Sequence, residues 1–126
     1  NNLLSQLTEC PKITQQEFEN QFSNLSENDL HLVVEKNNRI IAYGTLIVDF
    51  KFYRNCKNIG HIEDIVVDKN VRKRMVGVSL IKELIKICKK KKCYRITLFC
   101  KEELIKFYSR NGFEVNNIMM KKFLNN

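Results

Sequence analysis

Residues 60–77 constrain the fold of this chain more than any other stretch. An apolar run, Gly60-His61-Ile62-Glu63-Asp64-Ile65-Val66-Val67, gives way to a tight basic turn that ends at Gly77. A strongly amphipathic helix follows, predicted over 76–91, with its apolar stripe at Leu80, Ile81, Leu84, Ile85 and Cys88. A strand that feeds a basic loop at a helix N-terminus is a place to hold phosphate. Free backbone N–H groups and the positive end of the helix dipole point at one spot there. Glu63 and Asp64 lie in the strand just upstream, where carboxylates can act on whatever a phosphate-bearing ligand carries.

The remaining pattern is also mixed. Thr14 is an N-cap candidate, Glu17 completes a capping box, and apolar residues recur at 18, 22 and 25, so a helix is predicted over 14–25. Residues 30–36 and 40–50 flank Asn37-Asn38 and read as a hairpin. Strands are predicted over 61–67, 94–100 and 113–123, and a helix over 102–110 closed by Asn111-Gly112. Strands first, then strand, helix, strand, helix, strand, imply an α/β or α+β sheet with helices packed on it.

The chain has 126 residues, enough for one domain with a real core, and no linker divides it. The absence of an initiator Met points to a trimmed or incomplete N-terminus. No apolar run approaches the roughly 20 residues that span a bilayer, so no membrane span is expected. Five cysteines, at 10, 56, 88, 93 and 100, form no C-x-x-C pair. They read as reduced intracellular thiols, not a disulfide frame or a zinc site. A cytoplasmic protein without a metal is expected. The net charge of +8 fits an anionic partner: nucleic acid, an acidic surface or a phosphorylated small molecule.

This order of elements resembles the GNAT superfamily of acyl-CoA-dependent N-acyltransferases, whose fold is a mixed central sheet flanked by helices. The local wording is similar to its glucosamine 6-phosphate N-acetyltransferase family. The matching pieces are Leu4-Ser5-Gln6-Leu7-Thr8, Gly44-Thr45-Leu46-Ile47-Val48 with Lys51-Phe52, Gly60 to Val67, Cys93-Tyr94-Arg95-Ile96-Thr97-Leu98, Phe107-Tyr108 and Gly112-Phe113. Met75 stands where the superfamily's pyrophosphate loop has its first Gly. Phe99 and Leu104 replace an acidic residue and an Asn that the family usually carries.

The resemblance implies transfer of acetyl from acetyl-CoA to the amine of glucosamine 6-phosphate, for UDP-N-acetylglucosamine synthesis. It implies that Ile65, Val66, Val67, Arg72, Lys73, Arg74, Met75, Val76 and Gly77 bind acetyl-CoA. It implies that Asp64 orients or deprotonates the amine with Glu63 in support, and that Tyr108 protonates the CoA thiolate. Thr8, Lys51 and Lys121 or Lys122 are the implied sugar-phosphate contacts, with Cys93 and Tyr94 lining the substrate site, in a homodimer with a shared active site.

Blander readings stand beside these. Neighbours in a strand face opposite sides, so Glu63 and Asp64 share a pocket only if a bulge intervenes. Tyr108 reads equally as a core aromatic with its hydroxyl at the surface. Lys89-Lys90-Lys91-Lys92 sits at a helix C-terminus, where the dipole favours cations, and carries no nucleic-acid motif. His61 reads as a structural or surface side chain. The rival functions are a GNAT acetyltransferase of a protein or polyamine amine, and a non-enzymatic basic binding domain.

Overall fold

The computed structural model describes residues 3–71 and 74–125. Thr14 opens α1 (Gln15–Ser23) through the predicted capping box. The Thr14 hydroxyl accepts from the Glu17 N–H at 3.1 Å, and the Glu17 carboxylate accepts from the Thr14 N–H at 2.8 Å. The apolar residues of α1 are not buried; Phe18 and Phe22 stack on each other at 5.8 Å.

β1 (Asp29–Lys36) and β2 (Arg39–Asp49) form the predicted hairpin. Asn37 and Asn38 adopt φ of 52° and 62°, the doubly left-handed turn that matches strand twist and that Asn tolerates. β3 (Asn58–Val67) lies antiparallel to β2. The chain then crosses through α2 (Arg74–Lys90) and returns as β4 (Cys93–Leu98), parallel to β3. The sheet order is β1-β2-β3-β4. A single 3-10 turn at Glu102–Leu104 leads into α3 (Ile105–Arg110), so the predicted helix over 102–110 is a helical turn plus a short α-helix.

One face of the sheet carries the core. Leu80, Leu84 and Cys88 of α2 pack onto Ala42, Leu46, Val48 and Ile62, as the predicted apolar stripe requires. Two glycines let the helix approach. A Cβ at Gly60 would lie 2.6 Å from the Cys88 Sγ, and one at Gly44 would lie 3.3 Å from the Leu80 Cδ2. The C-terminus of α2 is tied to the start of β3. The Asn58 backbone N–H donates to the Lys92 carbonyl at 3.0 Å, and its side-chain amide donates to the Lys91 carbonyl at 2.8 Å. Lys89 and Lys90 sit in the last turn, where cations offset the dipole.

The strand predicted over 113–123 is not formed. Residues 113–125 carry no strand, and Val115, Ile118, Met120, Phe123 and Leu124 are all at least 75% exposed. A strand exists only with a neighbour to complete its hydrogen bonds, and within the described chain this apolar run has none.

Gly60→Ala is expected to lower stability by about 1–3 kcal/mol, because the fully buried Cys88 sulfur must move within a packed core. In a Cys88→Ala background the same change should cost much less. Denaturant midpoints of the four proteins check this; equal costs in both backgrounds would place the strain elsewhere.

Candidate active site

Local geometry in β3 separates the two carboxylates. Thr45 pairs with Glu63 and Tyr43 with Val66, so Gly44 faces two residues, Asp64 and Ile65. This is a β-bulge, and Asp64 takes φ 57°, a left-handed value that Asp tolerates better than most residues. Glu63 stays on the face of Thr45 and His61. Asp64 is pushed outward and exposed. Ile65 and Val67 turn down onto the core beside Gly44. The intervening bulge that would change the alternation is therefore present.

The same strand loses its other neighbour at this point. β3 and β4 pair from Asn58–Cys93 to Ile62–Leu98 and no further. Beyond that pair β3 continues to Val67 with β2 on one side and no described strand on the other. Its backbone there presents N–H and C=O groups to whatever enters the gap.

The basic loop begins at Asp68, whose carboxylate is a knot. Asp68 Oδ1 accepts from the Asn70 N–H at 3.0 Å and from the Gln6 amide at 3.3 Å, and Oδ2 faces the Arg39 guanidinium at 3.4 Å. Gln6 also accepts from the Lys69 N–H at 2.8 Å. These bonds, the Asn70 N–H first and Gln6 next, hold the Asp68 carboxyl below its ordinary pKa. They also bring the N-terminal segment that carries Thr8 to this end of the sheet. Arg72 and Lys73 lie outside the described residues. Met75 is exposed. Gly77 is buried, and a Cβ there would lie 3.2 Å from the Phe107 Cζ. Glycine at 77 therefore lets α3 pack closely, since a Cβ there would press on the Phe107 ring.

That contact seats α3 beside the first turn of α2 and carries Tyr108 with it. The end of α3 is fixed by a Schellman pair. The Phe113 N–H donates to the Tyr108 carbonyl and the Gly112 N–H to the Ser109 carbonyl, each at 3.1 Å. Gly112 supplies φ 92°, and Phe113 folds back edge-on to the Tyr108 ring at 5.9 Å. Tyr108 is 7% exposed, and its hydroxyl has no hydrogen-bond partner among the described residues. Burial, with the nearby Cys100 second, pushes its pKa up, so at neutral pH it is a phenol with a proton to give.

The other sequence-predicted residues lie elsewhere. Tyr94 is four residues before Leu98 on β4, about 13 Å from the parting of the strands at 3.3 Å per residue. Cys93 is one residue further, and burial raises its pKa, which keeps it a thiol. Lys51 is at this end too, bonded to Asp49 at 2.8 Å and raised in pKa by that bond. Lys121 and Lys122 are on the exposed C-terminal run. One chain thus gathers Thr8, Glu63, Asp64, 65–67 and Tyr108 toward one end, and Lys51, Cys93 and Tyr94 toward the other.

Sequence reading missed Arg54. The segment Arg54-Asn55-Cys56 has φ of 52°, 58° and 60°, a left-handed turn that sets the Arg54 guanidinium 4.9 Å over the Tyr94 ring. With Asn55, Lys57 and Tyr94 it lines a basic cavity of about 280 Å³. The only sequence signal was the proximity of Arg54 and Lys57 to Lys51.

Residues 2–113 match the acetyltransferase (GNAT) family. The chain belongs to that family, whose members transfer acetyl groups from acetyl-CoA. It is 40% identical over 126 residues to glucosamine 6-phosphate N-acetyltransferase 1 of Dictyostelium discoideum, covering 96% of this chain and 80% of that one. It is 36% identical to glucosamine 6-phosphate N-acetyltransferase of Arabidopsis thaliana, covering 96% and 85%. A crystal structure of the Arabidopsis enzyme superposes with a TM-score of 0.91 at 33% identity, over 98% of this chain and 88% of that chain.

Gly112→Ala is expected to cost about 1–2 kcal/mol, because φ 92° is strained for any residue with a Cβ. Tyr108→Phe should change stability by less than about 0.5 kcal/mol, since the hydroxyl has no partner to lose. Urea unfolding of both variants checks the pair of values. A large loss in Tyr108→Phe would mean that the hydroxyl is structural.

Proposed function

We propose that this protein transfers acetyl from acetyl-CoA to the 2-amino group of D-glucosamine 6-phosphate, giving N-acetyl-D-glucosamine 6-phosphate. The product is a precursor of UDP-N-acetylglucosamine. The observation that carries this reading is the parted pair of strands, together with a Tyr108 whose ring is buried and whose hydroxyl is free of protein partners among the described residues, in a chain 40% identical to an enzyme of that name.

In this reading the amine nitrogen attacks the thioester carbon directly. Backbone N–H groups of the Ile65–Val67 stretch that face away from β2 hold the oxyanion of the tetrahedral intermediate. As the C–S bond breaks, Tyr108 gives its proton to the departing thiolate. The proton lost by the amine passes to Asp64 or Glu63. Arg72, Lys73, Arg74, Met75, Val76 and Gly77 cradle the pyrophosphate at the start of α2, with the helix dipole in support. The acceptor phosphate rests on Lys51, Thr8 and Lys121 or Lys122, with Cys93 and Tyr94 lining the sugar.

Those contacts require a second copy. The two groups of site residues lie at opposite ends of one chain, and the unpaired apolar run 113–125 lacks a neighbouring strand. A homodimer meets both needs: it buries the run and supplies one protomer's Lys51 and Tyr94 to its partner's Glu63. Deleting residues 114–126 is therefore expected to yield a folded monomer without transferase activity. Light scattering and thiol release check the two halves together; an active monomer would defeat the shared site.

Thiol release with acetyl-CoA tests the substrate. Glucosamine 6-phosphate should be turned over efficiently, and plain glucosamine poorly, since it forgoes charge-assisted bonds worth roughly 1.5–3 kcal/mol each. Equal kcat/KM for the two sugars would sink the phosphate assignment.

Tyr108→Phe should lower kcat by about 10²-fold with acetyl-CoA affinity retained, as a group acting mainly in the transition state would. The defect of Asp64→Asn should instead shrink as pH rises and free amine becomes abundant. Full turnover in Tyr108→Phe, with chemistry rate-limiting, would reduce Tyr108 to a packing residue.

A further inference from the structure

His61 lies two residues before Glu63 on the same face of β3, at the last paired stretch before β3 and β4 part. Three side chains fix its ring. Nδ1 is 2.8 Å from the Thr97 hydroxyl of β4, Nε2 is 3.7 Å from the Glu63 Oε2, and Phe99 meets the ring edge-on at 5.2 Å. The imidazole is 22% exposed and the Glu63 carboxylate 42%. A glutamate this exposed would ordinarily sample many rotamers. Here an immobilised cation-forming ring stands at ion-pair distance from it.

The partner on the far nitrogen matters equally. A threonine hydroxyl both donates and accepts. It gives its proton to a bare Nδ1 when His61 is neutral, and accepts from N–H when His61 is charged. The ring therefore gains or loses a proton without losing its anchor. Other titratable groups on this face are more distant along the strands. On β2, Ile47 is opposite His61, with Asp49 tied to Lys51 on one side and Tyr43 bonded to His31 beyond Thr45 on the other. On β4, Arg95 pairs with Ile59.

We propose that His61 is a positioning residue for the acceptor side of the reaction: it holds the Glu63 carboxylate at the parting of the strands. This rests on the acetyl-transfer reading above, in which Glu63 faces the incoming amine.

Proton NMR of the histidine rings tests the pairing directly, because the chain has two histidines and His31 serves as the internal control. The His61 ring resonances are expected to shift in Glu63→Gln, with those of His31 in place. In steady-state assays, the kcat/KM of His61→Gln for glucosamine 6-phosphate should fall roughly tenfold, with the acetyl-CoA dissociation constant within about twofold of wild type. Thr97→Val, which frees the ring, should lower kcat/KM in the same direction by less. His61 resonances indifferent to Glu63→Gln, or a His61→Gln kcat/KM equal to that of wild type, overturn the proposal. Failure of the wild-type protein to acetylate glucosamine 6-phosphate is a separate result that removes the substrate reading.

Discussion

β3 has β2 along one edge for its whole length but β4 along the other only as far as Ile62–Leu98. That unequal pairing organises everything around it. A paired strand has no backbone groups to offer, and an isolated one has no fixed position. A strand held on one side only presents a rigid row of donors and acceptors. The bulge at Asp64-Ile65 sits within this half-paired stretch, and Gly44 opposite it leaves space for the Ile65 side chain to fold beneath. Glycine at 44 therefore shapes the half-paired stretch although it lies on a neighbouring strand.

The gap also needs its walls fixed. Phe107 against Gly77 ties α3 to α2, and the Schellman turn at Gly112 ends α3 so that Phe113 packs on Tyr108. On the other side, Asp68 joins the N-terminal turn, the β1–β2 hairpin and the loop before α2. Its pKa is lowered in the folded protein, so the linkage has a definite sign. The stabilisation is present above the ordinary value of 3.8 and is lost as pH falls through the lowered folded value. At neutral pH the knot is fully charged, and the loop it anchors begins from a fixed point.

The elements that were legible in the sequence are those set by short-range chemistry. The Thr14–Glu17 capping box, the Asn37-Asn38 turn, the α2 stripe and the Gly112 stop each depend on residues within a few positions of one another, and each formed where the pattern placed it. The predicted strand over 113–123 failed for the opposite reason. Apolar, β-branched composition describes what a strand would bury, but pairing needs an edge, and no edge is encoded locally. The division of the candidate site was hidden for a related reason. Cys93 and Tyr94 are close in sequence to Leu98, and only the parallel register shows that they begin β4 while the gap opens at its end. Arg54 escaped notice because its cation–π contact depends on three successive left-handed residues, which no propensity anticipates.

Charge is distributed to match this geometry. The chain carries +8, but the half-paired end of β3 holds Glu63, Asp64 and Asp68. A basic cluster of Lys51, Arg54, Lys57 and Arg95 lies about the Tyr94 ring at the opposite end of the sheet. An acceptor with an amine at one end and a phosphate at the other matches such a polarity. Its cationic end is drawn to the carboxylates and its anionic end to the basic cluster. Within one chain the two poles are separated by most of the length of β4, further than a single sugar phosphate reaches. In the proposed dimer a second copy covers the exposed apolar run 113–125 and brings its basic cluster toward the carboxylates, so one pairing of protomers answers both features.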